Sequence, residues 1–166
     1  MPTERVAILV DVQNIYYTCR QGFGRNFDYN QFWKMATHSA DGTPREVVKA
    51  IAYAVDRGDE KQKQFQNILR AIGFQVKLKP YIQRADGTSK GDWDVGITLD
   101  AMEYASEADS VVLASGDGDF GILVQRMQHK FNTHVEVYGV EQLTADSLIS
   151  AANKYVPIHN DLLLGR

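Results

Sequence analysis

The amino-acid sequence predicts an α/β protein built in three layers, an α/β/α sandwich in a single domain over residues 1–166. Its expected centre is a mostly parallel sheet of about five strands, covered by helices on both faces. Three observations carry this expectation. Apolar runs of strand length, led by RVAILVD (Arg5–Asp11) and SVVLAS (Ser110–Ser115), alternate with stretches of helical periodicity. Glycine- or aspartate-bearing turns separate them. No internal repeat, low-complexity segment or linker interrupts the 166 residues, a length that suits one core.

The elements follow in order. RVAILVD is apolar throughout and ends in a polar turn, as a strand buried on both faces does. NIYYTCRQGFG carries a short helix ending at its glycines. YNQFWKMATHSADG spaces Tyr29, Phe32, Trp33 and Met35 helically and stops at Asp41-Gly42. EVVKAIAYAV (Glu46–Val55) is a second strand, rich in Val, Ile and Tyr. In RGDEKQKQFQNILRAIG, Phe65, Ile68, Leu69 and Ile72 form one helical stripe, and Gly73 is the stop. FQVKLKPYI is a third strand and QRADGTSKGDW a long polar loop. DVGITLDAMEYASEA reads as a helix with Val95, Leu99 and Met102 on its apolar face. SVVLAS is the fourth strand, FGILVQRMQHKF a helix, and THVEVYG the fifth strand. LTADSLISAANKYV is expected to form a final helix with Ala145 or Asp146 in its first turn.

Composition narrows the function classes. The chain is 44% hydrophobic and 23% charged, which fits a globular protein. With 18 basic and 21 acidic residues the net charge is −3, so a whole-surface basic footprint for duplex DNA is absent. An acidic, metal-dependent nuclease site is compatible with that charge. Cys19, alone, forms no internal disulfide, and no signal peptide or membrane-spanning stretch is visible. A reducing, cytoplasmic compartment is the expectation, with no membrane partner.

The chemistry is expected beyond the carboxyl ends of the strands, where parallel sheets bind ligands. Asp11 ends the first strand and Asn14 follows it. Ser115, Asp117 and Asp119 follow the fourth. Oxygen donors from two strand ends suit Mg²⁺ or Mn²⁺. The segment SGDGDFG also fits the G-x-G-x-x-G spacing of dinucleotide-binding turns. However, Asp117 and Asp119 would oppose a pyrophosphate, and the downstream acid, Glu136, sits inside a strand rather than at its end. Each aspartate alone also fits a helix cap or turn. Asp92, Asp94 and Asp100 flank or lie on the next helix. Asp94 and Asp100 fall roughly 120° apart around it, so at most one of them joins a site at the strand ends. His38, His129, His134 and His159 lack ligand spacing, and Cys19 has no visible histidine partner. Tyr16, Tyr17, Phe32 and Trp33 read as core more than as base-stacking rings. Arg20, Arg25, Arg84 and Lys90 read as scattered surface charge with the capacity to grip phosphate.

The first-strand ILVDVQN, the central KGDWDVGITLDA and SGDGDF together resemble the NYN domain of the PIN-like nuclease superfamily, specifically its LabA-like group. The resemblance spans nearly the whole chain. It implies a Rossmann-like, PIN-like sandwich, an acidic metal site and metal-dependent cleavage of RNA, and it links the group to regulation of gene expression. It maps Asp11 onto the first-strand acid, Asn14 onto the amide after it, and Asp94 and Asp100 onto the helix acids. Ser115 and Asp117 match the S-x-D element, Asp119 the last acid and Lys90 the lysine before the helix. The group's Lys-Gly-x-Asp is one residue longer here, Lys-Gly-Asp-Trp-Asp, so either Asp92 or Asp94 stands as the helix acid. Gly118 replaces a small polar residue of many relatives.

The resulting expectation is phosphodiester hydrolysis of single-stranded RNA. Asp11, Asp94, Asp117 and Asp119 act as catalytic metal ligands for Mg²⁺ or Mn²⁺. Asn14 and Ser115 orient them, with Asp100 and Asp92 in support, and Lys90 contacts the phosphate backbone. A homodimer is a candidate assembly. The alternatives are a non-catalytic regulatory domain binding RNA, nucleotide or protein, and a small-molecule phosphohydrolase.

Overall fold

The computed structural model describes residues 3–80, 82–83, 89–90 and 92–165. Six strands form one parallel sheet: β1 (Arg5–Asp11), β2 (Glu46–Asp56), β3 (Gln75–Pro80), β6 (Ser110–Ala114), β7 (His134–Gly139) and β8 (Lys154–Pro157). Two-residue strands β4 (Ile82–Gln83) and β5 (Ser89–Lys90) pair antiparallel within the polar loop. Arg84 lies outside the described residues. The sheet order is β3-β2-β1-β6-β7-β8. That is the doubly wound order, in which the chain reverses its direction of travel between β1 and β6.

Alternate residues of β1 feed opposite cores, as a strand buried on both faces requires. Val6, Ile8 and Val10 pack with helices α1 (Val12–Phe23), α2 (Tyr29–Ala36) and α3 (Glu60–Ile72). Ala7 and Leu9 face α4 (Asp94–Ala105), α5 (Phe120–Phe131) and α6 (Asp146–Ala151). The expected three layers are therefore present. Local chemistry ends the helices where the sequence signals it. Asp28 and Asp59 cap α2 and α3 by accepting from the backbone N–H of Gln31 and Gln62. Gly24 closes α1 at φ 65°, in the left-handed region.

Three expectations needed correction. The sheet has six strands rather than five, because the last segment is not one helix: α6 ends at Ala151 and Lys154–Pro157 turns into β8. Asn153 makes the break. Its amide donates to Val135 O and its side-chain oxygen accepts from Val135 N, both 2.8–3.0 Å long, which starts β8 against the open edge of β7. On α4 the apolar face is the opposite one. Val95 and Leu99 are 70% and 66% exposed, whereas Ile97, Ala101 and Ala105 are buried. The helix is apolar on both sides, and the small side chains win the sheet-facing position because they let the helix approach closely. On α3, Ile68 is exposed while Gln66 is buried in the stripe. No helix of the described residues is long and apolar enough to cross a membrane.

The edge of the sheet away from the strand ends is fixed by a buried ion-pair network. Arg45, just before β2, donates through Nη2 to Glu136 Oε2 and through Nε to Glu4 Oε2, each at 2.7 Å. Ser110 Oγ donates to the other oxygen of Glu4. The starts of β1, β2 and β6 are thereby tied to β7. Removing one partner leaves an uncompensated buried charge, so Arg45→Met is expected to lose about 3–5 kcal/mol of stability. Urea denaturation reads this out, and a loss under about 1 kcal/mol would contradict the assignment.

Candidate metal centre

The parallel register aligns the carboxyl ends of β1 and β6. Val10 pairs with Ala114, which leaves Asp11 and Ser115 side by side at the topological switch point. Both are buried, with Asp11 8% exposed. Ser115 Oγ donates to Asp11 Oδ2 at 3.1 Å and accepts from the backbone N–H of Asp117 at 3.2 Å. Asn14 Oδ1 accepts from Gly116 N–H at 2.9 Å, tying the first turn of α1 to the turn after β6. Asp117 Oδ1 accepts from Asp119 N–H at 2.9 Å, so the turn is braced from within.

From the other side comes Asp94, the first residue of α4. One carboxylate oxygen from each of Asp94, Asp117 and Asp119 lies within 4.8 Å of the other two. Asp94 and Asp117 are half-buried and Asp119 is exposed. Asp11 stands outside this trio, behind it, linked through Ser115. Of the two candidate helix acids, Asp94 joins the group. Asp92 is exposed, its Oδ1 accepting from Asp94 N–H at 3.4 Å. Asp100 is committed elsewhere, accepting from Tyr53 Oη at 2.8 Å and from Lys77 Nζ at 2.7 Å. The backbone of Lys90 lies in β5, and its side chain falls outside the described residues.

Sequence reasoning missed what places Asp94. Trp93, the residue that lengthens the Lys-Gly-Asp-Trp-Asp stretch, turns inward. Its Nε1 donates to Ala54 O at 2.8 Å, and Lys79 Nζ sits 4.6 Å from its ring centroid. Gly96 lies against the ring, where a Cβ would come within 2.5 Å of it. The extra residue thus becomes an anchor, and the helix start is presented to the cluster. The signal in the sequence was a lone tryptophan in a polar loop two residues after a glycine.

The glycines of SGDGDFG have a different job from the one their spacing suggests. None of Gly116, Gly118 and Gly121 adopts positive φ. A Cβ on Gly116 would meet Leu143 O at 2.9 Å and one on Gly118 would meet the Ala145 methyl at 2.8 Å. They allow close approach of the segment before α6. Glu136, the candidate ribose-binding acid of a dinucleotide site, is buried against Arg45. Cys19 is buried and its thiol is pushed up to about 12 by desolvation, which removes it as a nucleophile.

Among the described residues, negative charge dominates the electrostatics of the site. Burial raises the Asp11 carboxyl to about 6, with the nearby charges of Asp117 and Asp92 adding to it against the Ser115 hydrogen bond. Asp94 rises to about 7, through desolvation first and then the charges of Asp117, Asp92 and Asp11. A divalent cation fits this donor set. Oxygens on one octahedral magnesium stand about 3.0 Å apart when adjacent and about 4.2 Å when opposite, at a bond of about 2.1 Å, so the trio would draw together by side-chain rotation to hold a single ion.

A sequence model of the NYN domain family matches residues 5–160. The chain belongs to the NYN domain family. This NYN domain is 26% identical over 162 residues to the low amplitude and bright protein LabA of Synechococcus elongatus, covering 94% of this chain and 84% of that protein. It is also similar to VPA0982 of Vibrio parahaemolyticus, a protein of unknown function known from its crystal structure. That match is 58% identical at a TM-score of 0.90, covering 98% of this chain and 97% of the other. The NYN domains belong with the PIN-like nucleases, which generally use divalent metal ions, and the acidic cluster is compatible with that chemistry.

The raised carboxyls give a signed pH dependence. The folded NYN domain holds these protons more tightly than the unfolded chain, whose carboxyls titrate near 3.8. Their favourable contribution is complete below about pH 3.8 and is lost as pH rises through about 7. In chelator, Asp94→Asn is expected to match the wild-type melting temperature near the acid end of that window and to exceed it by a growing margin towards neutrality. A difference that stays constant with pH would contradict the repulsion.

Proposed function

We propose that this NYN domain is a metal-dependent ribonuclease that hydrolyses phosphodiester bonds in single-stranded RNA. One observation carries the reading: carboxylate oxygens of Asp94, Asp117 and Asp119, from two separate strand–helix junctions, converge within 4.8 Å at the switch point, with Asp11 buried behind them. Such a cluster is unfavourable without a cation, and phosphate esters are the substrates that acidic cation sites of this kind serve.

In this reading Asp94, Asp117 and Asp119 hold Mg²⁺ or Mn²⁺, and Asp11 completes the negative field from behind. Bound there, a divalent cation supplies Lewis-acid stabilisation of charge on the phosphate and lowers the pKa of water. Ser115 fixes the Asp11 carboxylate through its hydroxyl and the Asp117 backbone through its oxygen, so one buried side chain sets the spacing of two acids. Asn14 holds the Gly116 amide and with it the turn carrying Asp117 and Asp119. The Asx-type bond from Asp119 N–H to Asp117 Oδ1 braces the carboxylate against the turn that carries both acids. The exposure of Asp119 suits a polymer that enters from solvent. Lys90 is the candidate phosphate contact from the preceding loop.

A labelled single-stranded RNA incubated with Mg²⁺ or Mn²⁺ tests the reading. Wild type is expected to cleave it, and Asp117→Asn to slow cleavage at least about 100-fold, on the scale of losing an electrostatic catalytic group. Equal cleavage by both proteins would remove the activity from this site. RNA binding with a metal-dependent rise in melting temperature but no cleavage would instead favour the regulatory alternative.

A further inference from the structure

A groove of about 500 Å³ opens between α1 and α3, and the acid cluster makes no use of it. It begins next to Asp11, at the end of β1. Val12 and Gln13, the two residues after Asp11, form its near wall. Ala54 and Val55, one and two positions beyond Tyr53, the register partner of Asp11, form its floor. Tyr16 and Tyr17 stand on the α1 side, 50% and 49% exposed. Their rings meet edge to face with centroids 5.4 Å apart. The other two aromatics considered from sequence, Phe32 and Trp33, are packed into the core. The structure therefore separates two core rings from two exposed ones.

Positive charge lies across from the tyrosines. Arg57, in the turn after β2, and Lys61, in the first turn of α3, line the groove. Arg57 Nη2 donates to Tyr17 Oη at 3.3 Å, which places guanidinium and ring together. The single carboxylate among the described lining residues, Asp59, is used in capping α3, accepting from Gln62 N–H at 2.8 Å. Asn26 and Leu164 line both this groove and a second recess of about 580 Å³, which carries Arg20 and Arg25. The two recesses follow α1, whose 12 residues span about 18 Å. Arg25 is held there by carbonyls, donating to Leu164 O at 2.8 Å and to Leu163 O at 3.2 Å, and by Asn160 Oδ1 at 2.9 Å.

We propose that this groove is the track for the single-stranded RNA that flanks the scissile phosphate, with bases stacked on Tyr16 and Tyr17 and phosphates met by Arg57 and Lys61. Arg20 and Arg25 take the phosphates at the far end. The mostly apolar walls match the faces of bases, and the rim of cations matches the backbone. Aromatic platforms combined with a positive groove bind single strands with little sequence preference, because every base offers a π-face. Continuity with Asp11 through Val12 and Gln13 favours a ligand that also reaches the acid cluster, as a polynucleotide does and a docked peptide need not. The proposal rests on the reading of that cluster as a ribonuclease site.

The test is fluorescence anisotropy of a labelled single-stranded RNA oligonucleotide with the full chain in chelator, so that the strand stays intact. Tyr17→Ala and Arg57→Ala are each expected to weaken binding about tenfold, and Tyr17→Phe, which keeps the ring, to stay within about twofold of wild type. Arg20→Ala should lower the salt dependence of binding. Lys130→Ala, on α5 across the sheet, is the control and should bind as wild type. Melting temperatures, with and without Mn²⁺, should shift in the groove variants as they do in wild type, which separates lost binding from lost folding. Wild-type binding that none of the groove variants weakens would overturn the track and leave the ribonuclease reading standing. Failure of wild type to bind any single-stranded RNA in chelator would also overturn the track, whereas the ribonuclease reading stands or falls on the cleavage assay with Mg²⁺ or Mn²⁺.

Discussion

Like charges gathered at the end of a parallel sheet repel one another, and much of this domain serves to hold them there. Asp11 is 8% exposed at the end of β1, where water does little to offset its charge. Asp117 and Asp94 approach from β6 and α4, and burial together with the charge of Asp117 raises the proton affinity of Asp94. Left to themselves these carboxylates would separate by rotating into solvent. Hydrogen bonds hold their backbone and side chains in place: Ser115 Oγ to Asp11, Gly116 N–H to Asn14, Asp119 N–H to Asp117, and the indole of Trp93 to Ala54. The unfavourable electrostatics are thus kept in the folded protein, and in the proposed reading a divalent cation converts them into binding energy.

The stability needed to hold such a site comes from elsewhere in the fold. Both faces of β1 are buried, so a shift in its register would move every core side chain at once. Far from the acids, Arg45, Glu4 and Glu136 lock the opposite edge of the same strands. Among the described residues, one edge of the sheet carries paired opposite charges and the other gathers like charges.

Much of this was legible in the sequence, for physical reasons. The strands that define the sheet are continuous apolar runs, and those runs mark burial on both faces. Their terminal aspartates followed from the rule that ligands sit beyond the carboxyl ends. The fold class and the family were both recovered. What escaped was decided by tertiary contact. Helix α4 carries apolar residues on more than one side, so periodicity could not tell that Ala101 and Ala105 face the sheet rather than Val95 and Leu99. Strand β8 exists because β7 leaves an edge for it, and Asn153 breaks the helix only in that context. The glycines of SGDGDFG looked like a phosphate cradle, yet their close neighbours are Leu143 and Ala145. Tyr16 and Tyr17 share helical spacing with buried residues, and only the packing of α1 shows them to be exposed.

The central claim is that the acid cluster is a divalent cation site. Titration calorimetry of Mn²⁺ into the wild-type protein, repeated in buffers of different ionisation enthalpy, tests it most directly. Binding should displace the protons held by Asp11 and Asp94, so the heat should vary with the buffer at a pH near 6, where both remain partly protonated. Asp117→Asn should abolish or severely weaken the binding. Absence of Mn²⁺ binding to the wild type, or binding in Asp117→Asn with the same affinity and proton release, would contradict the account.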